Sequence, residues 1–358
     1  MEKIRHSSTD LLEWNEGVVP RVRKALLKYY LKHHRDLPWR HTRDPYEILV
    51  SEVMLQQTQV KTVAPRYTEF LRRFPTVESL AEASEEVVCE SWAGLGYYRR
   101  ARNLRRAASQ IVDDFEGEFP QTAKELEKLH GVGRYTAGAV ASIAFEQNAP
   151  IVDGNVIRVF TRVFRFNLPK ENSRLLKTIW AIAEEIAQGT APGQVNQAIM
   201  EHGATICTPG KPDCRSCCIQ KFCGAYLEGE PTRYPLSLPK KKKKKLAVAF
   251  AWCEQDGKLL LEQRPVDGLW AGLWEPPSAV EKDKSSALKV LQSRLNTTLR
   301  GPIVKVKHLL THREVTALVY ITDRPAGLRN HGWYEEPLKQ PLSGLAKKAI
   351  IAMDGIEV

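Results

Sequence analysis

From about residue 20 to residue 205, apolar side chains recur mostly at three- and four-residue intervals, the spacing of one face of a helix. Phe74-Pro75, Phe119-Pro120 and Leu168-Pro169 interrupt that pattern where helices are expected to end. This half is predicted to be all-α. Beyond residue 245 the pattern changes to short apolar or β-branched runs, LAVAFAWC, KLLLEQR, VKVKHLLTH and EVTALVYIT, with a helical stretch SSALKVLQSRL among them. That mixture predicts an α+β unit. Between the two, EPTRYPLSLPKKKKKK combines prolines with a like-charge run that resists compact packing and reads as an exposed linker. The predicted map is an all-α domain over 1–229, a linker over 230–245 and an α+β domain over 246–358.

A chain of 358 residues has room for two or three domains. No apolar run approaches the ~18 residues that span a bilayer, and MEKIRHSSTD lacks the apolar core of a signal peptide. A cytoplasmic monomer without membrane contact is expected. The net charge is +11, but the run Lys240 to Lys245 supplies six of those charges, so charge alone does not establish a general polyanion-binding surface. A local basic stripe of Arg99, Arg100, Arg102, Arg105 and Arg106 could meet a polyanion or be a solvated helix face.

Several local patterns can carry chemistry. Gly94-Leu95-Gly96-Tyr97-Tyr98 and Gly131-Val132-Gly133-Arg134-Tyr135 are both Gly-aliphatic-Gly turns that lead into helical sequence. Such turns let a backbone approach a phosphate, or are simple connectors. Cys207, Cys214, Cys217 and Cys223 follow C-x6-C-x2-C-x5-C, a density that argues for metal. The spacing leaves zinc and an iron–sulfur cube equally open. Cys218 reads as a bystander, and Cys89 and Cys253 as packed thiols.

In DPYEILVSEVMLQQTQV, Asp44 is expected as N-cap, Pro45 at the first helical position and Glu47 as the closing member of a capping box. The stripe Ile48, Glu52, Leu55, Gln59 puts Glu52 on the buried face. Burial should raise its pKa toward that of a general acid, unless Arg40 or Arg43 pairs with it as a structural partner. In PIVDGNVIRVFTRVF, Asp153 precedes a helix starting near Val156, where the helix N-terminus should keep it ionised. Asp153 or Asn155 could equally be only the N-cap. One protonated and one ionised carboxyl group together form the pattern for cleaving a glycosidic bond.

SEVMLQQTQV, LHGVGRYTAGAVASIAF, VDGNVIRVFTR and the four-cysteine tail, in that order over roughly residues 20–225, resemble the endonuclease III-type helix-hairpin-helix DNA glycosylases. LPWR (Leu37 to Arg40), Tyr135 where lyase members carry a lysine, and the C-terminal domain make the adenine-excising branch the most similar. The resemblance implies a [4Fe–4S] cluster on the four cysteines and double-stranded DNA with A:8-oxoguanine or A:G mispairs as substrate. It implies Glu52 as the acid that protonates adenine, Asp153 as stabiliser of the sugar cation, and Tyr135 and Asn155 as their hydrogen-bonding supports. It places Arg40 in the adenine pocket, Gln56, Gln57 and Tyr97 where side chains wedge into the duplex, and Gly131 and Gly133 in the DNA-binding hairpin. LLLEQRPVDGLWAGLWEPPSAV resembles the opening of a Nudix-like, lesion-recognising domain. The acidic helix of active Nudix hydrolases is missing, so no diphosphate hydrolysis is expected. Leu310-Thr311-His312 align with the family's Phe-Ser-His lesion loop, with leucine for the aromatic; taken without the resemblance they are hairpin-turn residues. Two other readings stay open: an endonuclease III-like glycosylase and AP lyase for oxidised pyrimidines, against which Tyr135 argues because it cannot form a Schiff base, and a non-catalytic Fe–S lesion-binding protein.

Overall fold

The computed structural model describes residues 12–239, 243–265, 267–310, 312–323 and 325–356. Backbone proximity groups Met1–Val88 with Tyr97–Pro239, and Cys89–Gly96 with Lys240–Val358. In the first unit the described chain is helical, from Val19–His33 to Pro192–Thr205, followed by short turns through Gly224–Leu227. Each of the three X-Pro signals falls between helices: Phe74 caps Val60–Arg73, and the other two lie in the connections after Phe115 and Phe164.

Pro45–Leu55 is buried nearly all round, with Tyr46 and every residue from Ile48 to Met54 out of solvent. Such a helix needs neighbours on every side, and Val60–Arg73, Arg99–Phe115 and Arg134–Phe145 supply them. Asp44 accepts the N–H groups of Tyr46 and Glu47 as N-cap. The expected capping box does not close: the Asp44 N–H donates to the Thr42 hydroxyl instead of to Glu47. The helix also ends at Leu55, so Gln59 is not on its face.

Segment 230–239 departs from the expected linker. Tyr234 is buried, its carbonyl accepts from Arg162 Nε at 3.0 Å, and the Leu236 N–H donates to the Leu168 carbonyl. The aromatic and backbone groups of this proline-rich strap find partners on the helical unit, which its composition did not reveal. Lys240 to Lys242 lie outside the described residues.

The second unit contains β1 (Lys244–Trp252), β2 (Glu254–Gln255), β3 (Lys258–Gln263), β4 (Trp274–Glu275), β5 (Ser278–Glu281), β6 (Arg300–Leu309), β7 (Arg313–Ile321) and β8 (His331–Tyr334). One sheet has the order β5-β1-β7-β6, parallel only between β1 and β7; the other runs β2-β3-β4, with β8 also on β3. β1 explains its own apolar run. Ala247, Ala249 and Ala251 face a core with Leu291 and Leu295 of helix Lys284–Leu295, while Val248, Phe250 and Trp252 face Leu345, Ala346 and Ile350 of helix Gly344–Met353. A strand covered on both faces has no polar side to alternate with.

Candidate active site

Three helices bring the sequence-selected carboxylates and their supports together. Glu52, on Pro45–Leu55, is 5% exposed, and the Tyr135 hydroxyl, at the start of Arg134–Phe145, donates to its Oε2 at 2.8 Å. Burial raises the Glu52 pKa to about 7; the Tyr135 bond opposes the rise and the charge of Asp153 adds to it. The alternative of a structural partner for Glu52 fails, since Arg40 pairs with Glu201 at 2.7 Å and Arg43 with Glu146 at 3.2 Å. The Tyr135 oxygen also lies 3.0 Å from Met200 Sδ, and burial together with Glu52 raises its pKa well above the usual value.

Asp153 is the N-cap of Gly154–Phe164. Its Oδ1 accepts the N–H groups of Asn155 at 2.9 Å and Val156 at 2.8 Å, and Asn155 Nδ2 donates to Oδ2 at 2.8 Å. The helix N-terminal donors expected to favour its ionised form are present, but they are not the largest influence on it. Burial is the largest effect and raises its pKa; the backbone and Asn155 donors and Arg158 pull it back down. Asp153 is therefore a cap and also a half-buried carboxylate electrostatically coupled to Glu52.

Arg158 donates through Nη2 to Asn155 Oδ1 and to the Gly203 carbonyl, each at 2.7 Å, and through Nε to the Cys207 carbonyl at 2.7 Å. With Arg158 on its oxygen, the Asn155 amide must turn its NH₂ toward Asp153. Gly203 makes room for this contact: a Cβ there would stand 2.6 Å from Asn155 Cβ.

Glu201 accepts the Arg35 N–H, Nε and Nη2 and Arg40 Nη2, at 2.7–3.0 Å. Burial would raise its pKa, but the two guanidiniums hold it at about 2. Arg40 is thereby fixed, its guanidinium 5.3 Å from the Tyr30 ring centroid.

Cys207, Cys214, Cys217 and Cys223 line one cavity, together with Arg162 and His202. Arg162 Nη1 lies 3.2 Å from Cys207 Sγ, and His202 Nε2 3.4 Å from Cys217 Sγ. Burial pushes the Cys217 thiol up to about 12 and raises Cys214 and Cys223 as well. Among the described residues no three His, Cys, Asp or Glu side chains group closely enough to hold a single metal ion. Cys218 does not line the cavity, and Cys89 and Cys253 are buried.

Residues 50–184 match the family described as HhH-GPD superfamily base excision DNA repair protein, and residues 248–352 match the NUDIX domain. The chain is 37% identical to the adenine DNA glycosylase of Rattus norvegicus, over 84% of this chain and 70% of that protein. It is 36% identical to that of Homo sapiens (84% and 67%) and 32% identical to that of Buchnera aphidicola subsp. Acyrthosiphon pisum (89% and 92%). The chain belongs to the adenine DNA glycosylase family. Among solved structures it resembles a thermostable thymine-DNA glycosylase, with a TM-score of 0.52 and 31% identity over 59% of this chain and 99% of that one. It also resembles endonuclease III trapped on DNA, with a TM-score of 0.50 and 25% identity over 61% and 99%. Members of this family are base excision repair enzymes that hydrolyse N-glycosidic bonds, and the chain carries that architecture as a helix-hairpin-helix unit followed by a Nudix unit.

In this adenine DNA glycosylase family member, the remaining sequence-selected residues fall into separate places. Gln57 is exposed at φ 56° and Tyr97 is 54% exposed at φ 50°. Gln56 is half-buried, its amide 3.3 Å from the Thr136 hydroxyl. Gly131 has φ 75°, and a Cβ there would lie 2.5 Å from Asn103, whereas Gly133, the N-cap of Arg134–Phe145, faces open space. The arginine stripe is largely structural: Arg100 and Arg105 donate to backbone carbonyls and Arg102 lies 3.8 Å from Glu85, leaving Arg99 and Arg106 exposed.

In the β6–β7 turn, Leu310 packs on the domain core, and the backbones of Leu310 and His312 are tied to Lys243 and Lys244. The His312 side chain is exposed; Thr311 lies outside the described residues. Sequence reasoning missed Arg35, Glu201, Arg158 and Arg162. A signal existed for the last two, since both are charges inside the otherwise apolar run VIRVFTRVF, and Arg162 is fully buried.

Proposed function

We propose that this glycosylase removes adenine from A:8-oxoguanine and A:G mispairs by acid-assisted hydrolysis, working as a monofunctional enzyme. The observation that carries the reading is the buried Glu52 carboxyl, with a pKa near 7, bonded to Tyr135 and sensing Asp153. Glu52 delivers a proton to the flipped adenine. The C1′–N9 bond breaks, Asp153 balances the positive charge that grows on the sugar, and water adds at C1′ to leave an abasic site. Asn155 and Tyr135 hold the two carboxyl groups in position, and Arg40 lies in the adenine pocket. Gln57 and Tyr97 are the wedges that fill the stack. Gln56, grouped with these wedges in the sequence, is half-buried with its amide on Thr136, so its proposed role is to support them from inside. Gly131 and Gly133 admit the DNA backbone at the hairpin.

The four cysteines would hold a [4Fe–4S] cluster. Zinc would draw four sulfurs to about 2.3 Å from one point. Four cysteines around one common cavity suit a polyatomic cluster, which the resemblance to the endonuclease III-type glycosylases favours over zinc. Arg162 supports the same assignment. It is a fully buried cation whose hydrogen-bond acceptors are backbone carbonyls and the Cys207 sulfur, and an anionic cluster offsets such a charge. When bound, the cluster cross-links the 207–223 loop; Arg158 and Arg162 then hold that loop against the Asp153 helix.

Leu310, Thr311 and His312 read the lesion opposite the adenine, within a Nudix-like domain over 246–358 that follows a helix-hairpin-helix domain over 1–229 and a 230–245 connection. We place the enzyme as a cytoplasmic monomer; among the described residues no helix is long and apolar enough to cross a membrane. A single-turnover assay on A:8-oxoguanine, A:G and thymine-glycol duplexes, with and without alkali, tests the reading. Adenine release from the first two, with strand breaks only after alkali, is the expected result. Release of thymine glycol with spontaneous strand cleavage would replace it with the lyase reading, and no release from any duplex with the non-catalytic one.

A further inference from the structure

The helix that carries Glu52 ends in an unusual way. The last carbonyls of a helix lack intrahelical partners, and here a side chain from elsewhere serves them. Arg100 Nη1 lies 2.8 Å from the Val53 and Met54 carbonyls and 2.6 Å from that of Gln56, its two hydrogens shared among the three. Nη2 donates to the Thr58 hydroxyl at 3.0 Å. A cation at a helix C-terminus also complements the helix dipole.

Beyond Leu55 the chain makes a tight turn closed by the Thr58 N–H on the Leu55 carbonyl. Gln56 has φ −57° and ψ 112°, followed by Gln57 at φ 56°. That is the pattern of a type II turn, with glutamine where glycine is favoured. A non-glycine residue in this region is strained and persists only where surroundings impose it. Tyr97 is held in the same strained region, its carbonyl accepting the Arg100 N–H at 2.8 Å and its ring centroid 5.5 Å from the Arg100 guanidinium. One residue thus touches both strained, exposed elements.

Resting on the proposal that Gln57 and Tyr97 wedge into the duplex, we infer that Arg100 is the positioning residue that locks these two wedges in register and so sets how well the target adenine is extruded. Arg100 lowers the cost of filling the gap because both wedges are already in their working backbone conformation before DNA arrives. Burial pushes its pKa down to about 10, which leaves it protonated at neutral pH. The arrangement requires a planar fork: an ammonium can serve the three carbonyls, but not Thr58 and the tyrosine ring as well.

The test uses the full-length holoprotein and a duplex with 2-aminopurine at the target adenine position opposite guanine. Its fluorescence rises when the base leaves the stack. Affinity for the same duplex, thermal stability and the visible absorption of the protein are measured alongside. Arg100→Met is expected to bind within a few-fold of the unsubstituted protein, yet to lose about tenfold or more in extrusion rate, with excision of adenine falling in proportion. Arg100→Lys should recover part of that loss. Gln57→Ala and Tyr97→Ala serve as references. If they lose extrusion and Arg100→Met does not, the wedge reading stands and the inference about Arg100 is overturned. If neither reference loses extrusion, the wedge reading itself fails. Equal losses of affinity, stability and extrusion in Arg100→Met would make Arg100 merely a structural cap, also overturning the inference. Should Arg100→Met not fold, the extrusion-to-affinity ratio of Arg100→Lys decides.

Discussion

At the scale of single residues, what distinguishes Glu52 from the other carboxylates is how little opposes its burial. Glu201 is buried too, but two guanidiniums hold its pKa at about 2, whereas Glu52 has one tyrosine hydroxyl and rises to about 7. The sign has a consequence for stability. A carboxyl group whose pKa rises on folding favours the fold fully below its unfolded value near 4.5, and that contribution is lost as pH climbs through about 7. At one pKa unit per about 1.4 kcal/mol, the buried charge costs up to roughly 3 kcal/mol at pH 8. Glu52→Gln, which stays neutral, should therefore melt higher than the unsubstituted protein at pH 8 but no higher at pH 4.5. Thermal melts at both pH values check this; a pH-independent difference would mean that Glu52 is not the buried, protonated group described here. For Asp153→Asn the fold should survive, because an amide oxygen can still cap the helix. Single-turnover excision should fall by about 10² or more as the sugar cation loses its counter-charge. A rate near that of the unsubstituted protein would leave Asp153 as a cap only.

At the scale of elements, the four cysteines around one cavity would let the proposed cluster hold the loop 207–223. The purified protein should be brown, and Cys217→Ser should bleach it and lower its melting temperature; a colourless protein with one zinc per chain would contradict the cluster. The elements legible in the sequence are those whose own pattern decides them. Pro45–Leu55 announces its start through Asp44-Pro45, and β1 and β7 announce themselves as apolar runs. The illegible elements are those settled by distant partners. Segment 230–239 reads as a free linker until Tyr234 finds Arg162, and the Arg99–Arg106 stripe reads as a surface until Arg100 finds the carbonyls of another helix. The same holds for the site. Glu52 and Asp153 stand out by local period and cap position, whereas Glu201 gives no local sign of the two arginines it gathers from over 160 residues away.

At the scale of the whole molecule, the chemistry and the proposed lesion reading belong to different units of the chain. Replacing Thr311 and His312 together by alanine should slow excision opposite 8-oxoguanine about tenfold more than opposite guanine, since one good discriminating hydrogen bond is worth roughly 1–3 kcal/mol. Parallel single-turnover rates on the two duplexes check this, and equal losses would assign the β6–β7 turn to general binding or stability. Such selectivity is useful only if the first unit performs acid-assisted excision. The most direct test of that claim is the pH profile of single-turnover adenine release from an A:8-oxoguanine duplex, for the unsubstituted protein and for Glu52→Gln. The rate should fall as pH rises through about 7, following loss of the Glu52 proton, and Glu52→Gln should bind the duplex while losing about 10²–10⁴ of the rate. A flat profile from pH 5 to 9, or near-normal excision by Glu52→Gln, would contradict the account.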